Sequence, residues 1–233
     1  MVIHDKVVAT NPAYTQKWLL HTPSRPDIAG LVPLRGSDAA GILQSHASRF
    51  SIHHERGRLD VATMLPRRSL RRLAGGKGYA YYVETDADES TLDGRNFADG
   101  AEEKPWFNLG RWRVEIQSAT PAPTQHFLIA LSPSLGEDRS GEVRPLEAIS
   151  GELPGLATER SVILFAADSA TDHFSFVLPS TQRRILFIGG PPGRDLTVAS
   201  ETARDTRRIS GTGVLELPMP AGVEPGSRID LTF

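Results

Sequence analysis

RFSIHHERGRLDVATML, residues Arg49–Leu65, is the stretch that decides the fold class. Phe50, Ile52 and His54 fall on one face of an extended chain. Leu59, Val61, Thr63 and Leu65 then alternate back on the far side of Glu55-Arg56-Gly57-Arg58. Successive side chains of a strand point to opposite faces, so period-two alternation around a short polar turn specifies a β-hairpin. Gly57 is expected to supply the positive φ that the turn requires.

The same punctuation extends in both directions. The 21 glycines and 17 prolines recur every several residues, and the apolar runs between them are short and rich in Val, Ile, Phe and Tyr, which favours strands over helices. Towards the N-terminus, strands are expected at Val2–Ala9 and Tyr14–His21. Towards the C-terminus they are expected at Gly78–Glu84, Trp112–Ile116 and Phe127–Leu131, and then at Val162–Ala166, Phe174–Leu178, Arg184–Ile188, Leu196–Ala199, Gly213–Leu217 and Arg228–Phe233. Asp86–Lys104 is acidic and reads as an exposed loop. Ser132–Gly155 is looser and polar, a seam between sublobes. The pattern implies an all-β, antiparallel β-sandwich (supersandwich-like) of two packed sublobes, residues 1–135 and 136–233. Both ends fall inside strands, so the chain is expected to be a piece of something longer.

Composition removes several classes of function. At 233 residues, 39% of them hydrophobic, the chain can bury a sizeable core. A net charge of -2 supplies no global field for nucleic acid or an anionic membrane, so neither is expected as a partner. The absence of cysteine excludes disulfides, thiolate metal sites and cysteine nucleophiles. His4, Asp5 and Lys6 interrupt any apolar core of a signal peptide, and no apolar run reaches the length of a membrane span. Compartment is left open.

Few residues invite chemistry. None of the seven histidines forms an HxxxH pair, no GxSxG accompanies them, and His53 and His54 point to opposite faces of their strand. No catalytic residue, metal ligand or cofactor is assigned. Most of the seven are expected to be surface or structural histidines; His21 stands out, ending the apolar strand WLLH where a cleft wall could form, though a structural role is the favoured reading there too. Ala74-Gly75-Gly76-Lys77-Gly78 lacks the Lys-Ser/Thr ending of a phosphate loop and is read as a hairpin loop, as is Gly189–Gly193. Arg67, Arg68, Arg71 and Arg72 put four guanidinium groups within six residues. They suit bidentate capture of carboxylates or sulfates, and Tyr79 and Tyr81 follow closely to stack on sugar rings. The competing reading, slightly favoured, is that they are solvated charges guarding an edge strand. The carboxylate pairs Asp86–Asp88 and Glu102–Glu103 carry no assignment, because nothing forces them into the facing geometry of glycoside hydrolysis.

Three segments in order, Val2–Ile28 (VIHDKVVATNPAYTQKWLLHTPSRPDI), Gly57–Glu84 (GRLDVATMLPRRSLRRLAGGKGYAYYVE) and Gly110–Leu131 (GRWRVEIQSATPAPTQHFLIAL), resemble the C-terminal half of the β region in heparinase II/III-like polysaccharide lyases. The resemblance covers about the first 135 residues. It implies an N-terminal α/α-toroid followed by an antiparallel β-sandwich, and β-elimination of acidic polysaccharides such as heparin-like glycosaminoglycans or alginate by Tyr and His with Asn, Gln, Glu or Arg. It also implies that the catalytic residues precede residue 1, and members of the family are often periplasmic or secreted. The partners expected are an acidic polysaccharide, the missing toroid or a second copy of the chain. A free-standing polysaccharide-binding module and a structural assembly domain are the alternatives.

Overall fold

The computed structural model describes residues 1–83, 95–96, 110–136, 141–150, 153–166, 172–180, 182–220 and 222–233. None of these is helical, and the chain is all-β. The acidic loop expected at Asp86–Lys104 and its carboxylate pairs lie outside the described residues, apart from Arg95–Asn96. The chain divides into two units, Met1 with Val7–Ser140, and Val2–Lys6 with Gly141–Phe233.

The first twelve strands are β1 (Val2–Val8), β2 (Lys17–Thr22), β3 (Asp27–Ile28), β4 (Val32–Gly36), β5 (Gly41–Ser45), β6 (Arg49–His54), β7 (Gly57–Leu65), β8 (Ser69–Gly75), β9 (Tyr82–Val83), β10 (Arg95–Asn96), β11 (Trp112–Ser118) and β12 (Thr124–Leu135). One sheet includes β12-β7-β6-β3 in that order, and the other, five-stranded, runs β2-β11-β8-β5-β4. The diagnostic hairpin is β6–β7, with Phe50 opposite Val61 and Ile52 opposite Leu59. Its register corrects the turn. Gly57 pairs with His54 as part of β7, so only Glu55 and Arg56 lie between the strands, and Glu55 takes the positive φ (52°). Ser51, Ala62 and Met64 are buried as well as Phe50, Ile52 and Val61, so both faces of this hairpin are covered.

Two further expectations are corrected in this unit. Gly76–Tyr81 is a turn, not a strand, and only Tyr82–Val83 is extended. Gly76 and Gly78 adopt φ of 84° and 79°, and the Tyr79 N–H donates to the Gly76 carbonyl at 2.9 Å, so left-handed glycines override the β propensity of the tyrosines. The arginine-rich segment is not an edge strand either. β8 has β11 on one side and β5 on the other, so Arg71 and Arg72 sit in mid-sheet.

The second unit comprises β13 (Arg144–Pro145), β14 (Glu147–Ser150), β15 (Gly155–Ala157), β16 (Ser161–Phe165), β17 (His173–Val177), β18 (Arg184–Ile188), β19 (Asp195–Ala199), β20 (Arg204–Arg208), β21 (Val214–Pro218) and β22 (Arg228–Thr232). Sheets β13-β15-β16-β18-β21 and β14-β17-β22-β19-β20 enclose one core. Val162, Leu164, Ile185 and Phe187 from the first meet Phe174, Phe176, Leu196, Val198, Ile229 and Leu231 from the second, each at most 1% exposed. Burying a Phe or Leu of this kind contributes about 1.5–3 kcal/mol. Pairing is antiparallel except between β16 and β18, which run parallel. The segment expected as a loose seam contains β13, β14 and the start of β15, and β12 extends to Leu135.

Candidate functional site

The sheet β2-β11-β8-β5-β4 has two unlike faces. Cross-strand partners share a face, so Trp18, Ile116 and Arg71 lie on one side with Leu20, Val114, Leu73 and Leu43. Val114, Ile116, Leu73 and Leu43 are fully buried, which makes this the core face. The opposite face carries Leu19, Glu115, Arg72 and Gln44 in one row, and His21, Arg113, Ala74 and Ile42 in the next. β11 therefore places Trp112, Val114 and Ile116 inward and Arg113 and Glu115 outward by simple alternation.

The Gly76–Tyr81 turn lies on the second row. Tyr79 and Tyr82 pack with Ile42 and Ala74, their rings tilted at 36° with centroids 5.0 Å apart. Arg35 donates from Nη1 to the Tyr82 hydroxyl and lies over its ring, 5.7 Å from the centroid. Beneath this lid is a cavity of about 210 Å³ lined by His21, Arg113, Tyr79 and Tyr81 with Ala74, Ala80 and Gly110. Glycine at 110 is required by space, because a Cβ there would lie 2.7 Å from the His21 Cβ.

One buried carboxylate organises the charges around this cavity. Glu115 Oε1 accepts from Arg113 Nε and Nη2 at 2.8 Å each, and Oε2 accepts from Lys17 Nζ at 2.8 Å. The remaining arm of Arg113, Nη1, donates to the Tyr82 carbonyl at 2.9 Å, which ties the guanidinium to the tyrosine turn. Burial pushes the Glu115 carboxyl up, but the Lys17 hydrogen bond and the charges of Lys17, Arg113 and Arg72 outweigh it and hold the group below the usual range. Three cations thus act on one carboxylate. Burial and the Arg113 charge lower the His21 imidazole, with Glu115 opposing only in part, so at neutral pH it is uncharged, with one donor and one acceptor nitrogen. A cationic guanidinium, a neutral imidazole and aromatic rings suit an anionic, hydroxyl-bearing ring compound.

The candidates drawn from sequence separate into two groups. His21, Tyr79 and Tyr81 line the one cavity. The arginine cluster does not act together. Arg67 and Arg68 are exposed in the β7–β8 turn, Arg71 is 0% exposed on the core face, and Arg72 lies on the opposite face in the row of Glu115. A buried guanidinium cannot meet a polymer, because alternation along β8 turns adjacent arginines to opposite sides. Arg113 was missing from the candidates. Its signal was legible in GRWRVEIQ, where Arg113 and Glu115 alternate with Trp112, Val114 and Ile116. Tyr79 and Tyr81 share the cavity through the turn and not through strand alternation. Among the described residues, no group of three or more His, Asp or Glu gathers as a metal site. A second cavity of about 140 Å³, lined by Gln16, Gln117, Ser118 and Gln125 among others, offers no charged group.

No protein-family model matches the chain, and no curated protein matches it.

Proposed function

We propose that the cavity under the tyrosine turn binds one residue of an acidic saccharide, and that the chain serves as the β-sandwich portion of a heparinase II/III-like polysaccharide lyase. The observation that carries this reading is the convergence of His21, Arg113, Tyr79 and Tyr81 on one cavity. At about 210 Å³ it is smaller than typical drug-sized pockets and suits a single sugar ring rather than an oligosaccharide. Arg113 takes the carboxylate or sulfate, His21 a hydroxyl, and a tyrosine ring the apolar face of the sugar. Turnover in this reading belongs to residues of a helical toroid, as in the lyases that the sequence resembles.

Isothermal titration with alginate, heparin and heparan sulfate oligosaccharides tests the assignment. Binding is expected to weaken about 10-fold or more in Arg113→Gln, the loss of a charge-assisted hydrogen bond of about 1.5–3 kcal/mol. Equal affinity of the variant overturns it. A second reading is favoured by the same lining, since an imidazole uncharged at neutral pH, a phenol and a guanidinium are the three kinds of group that β-elimination uses. Accumulation of unsaturated product with the purified chain, abolished in His21→Gln, supports catalysis in place of binding alone.

A further inference from the structure

The edge of the second unit's sheet at β20 has a different character from the other edges. In the order β14-β17-β22-β19-β20 it is terminal, and it pairs with β19 through five uninterrupted partners, from Asp195 opposite Arg208 to Ala199 opposite Arg204. Just beyond the strand at either end, Ile209 N donates to Arg194 O and Ser200 N to Ala203 O, each at 2.8 Å, so the odd-numbered positions face β19. Antiparallel ladders alternate, and the N–H and C=O groups of Arg204, Thr206 and Arg208 therefore point away from the sheet.

Sheet edges are commonly blunted by proline, bulges or shortness. Here β13 is two residues long and ends at Pro145, β21 ends at Pro218, and the register of β14 breaks between Ala148 and Ser150. β20 has no proline and no bulge, only Arg204, Arg207 and Arg208 among its five residues. Arg207 is matched by Asp205 at 3.2 Å, whereas Arg204 and Arg208 have no ion pair among the described residues. The side chains of Arg204, Thr206 and Arg208 share the outer face, opposite to buried Leu196 and Val198, and the Thr206 hydroxyl is held by Thr197 at 2.9 Å. Such an edge repels a second copy of itself and attracts an extended segment of opposite charge.

We propose that β20 docks an acidic, extended peptide segment of a partner protein, added as a sixth strand with carboxylates opposite Arg204 and Arg208 and a small residue opposite Thr206. Main-chain hydrogen bonds supply affinity in this mode, and alternate side chains supply selection. The surface lies in the second unit and does not depend on the saccharide cavity.

The test is titration of the full chain with an acetylated, amidated peptide of sequence Glu-Val-Thr-Val-Glu flanked by serines, followed by fluorescence anisotropy. Binding that weakens with salt, and about 10-fold or more in the double variant Arg204→Glu, Arg208→Glu, is expected. Thr206→Pro is the decisive variant. It removes an N–H that points off the sheet, which an edge strand tolerates, and leaves every arginine in place. Peptide affinity should fall about 10-fold or more while retention on heparin stays unchanged. A peptide N-methylated on its β20-facing amides gives the same result without altering the protein, which covers the case of a poorly folded proline variant. Undiminished affinity of both Thr206→Pro and the N-methylated peptide, or capture of heparin but not of the peptide through Arg204 and Arg208, overturns the proposal.

Discussion

Replacing Arg71 by methionine should stabilise the protein. Arg71 lies on the core face of β8, opposite Ile116 on β11 and Ser45 on β5, and is 0% exposed. Among the described residues none of its three side-chain nitrogens has a hydrogen-bond partner, and the neighbouring Ser45 hydroxyl already donates to the Ala29 carbonyl. Burial alone pulls its guanidinium down from its ordinary value to about 10. At about 1.4 kcal/mol per unit, that shift puts the cost of holding the charge inside at about 3 kcal/mol. It agrees with the gain of about 1–4 kcal/mol expected when buried ionic groups are replaced by apolar ones. Because the folded value is depressed, this penalty is present in full below about pH 10, including at neutral pH, and is relieved only as pH rises beyond it towards the ordinary arginine value. Arg71→Met keeps an unbranched stem in place and removes the charge. Calorimetry at pH 7 should show the transition of the first unit raised by about 6–12 °C, at about 2–4 °C per kcal/mol for a chain of this size. Arg72→Met provides the opposite sign one residue away, since it deletes a cation that stabilises Glu115 and should lower Tm or leave it unchanged. If Arg71→Met lowers Tm, the guanidinium is partnered in solution and the inference of an uncompensated charge is wrong.

The site yields three further tests. Glu115 is held below the ordinary carboxylate range, so its stabilising effect is present above about pH 4.3 and is lost as pH falls through its folded value. Urea unfolding should therefore place Glu115→Gln below wild type by about 1–3 kcal/mol at pH 7, with the gap closing in acid; a gap independent of pH would refute this. His21 should titrate below 6.5 by NMR, and its midpoint should move upwards when an acidic saccharide occupies the cavity; a midpoint at or above 6.5 in the free protein contradicts its environment. Gly75→Ala should cost about 1–3 kcal/mol and shift tryptophan emission, because the new Cβ would sit 2.3 Å from Trp112 Cε3; a neutral outcome would mean that the indole can move aside freely.

Alternation alone determined much of this protein. The hairpin Arg49–Leu65, strand β11 and six strands of the second unit are legible because each has an apolar face of period two, a local property set by the chain's own geometry. β20 was missed since RDTRR has no apolar face to read. The tyrosine turn was misread because two left-handed glycines, not side-chain propensity, direct the backbone there. Residue types for the site were also visible, in His21, Tyr79 and Tyr81. What joins them is non-local. Lys17 and Glu115 meet across 98 positions of sequence, and the pairing of β2 with β11 sets His21 beside Arg113. The four arginines make the same point in reverse: their charge is plain in the sequence, but the turn before β8, its outer face and its core face divide them according to which strands flank β8. Strand order and register are global solutions to burying apolar faces, and they alone decided which neighbours became a site.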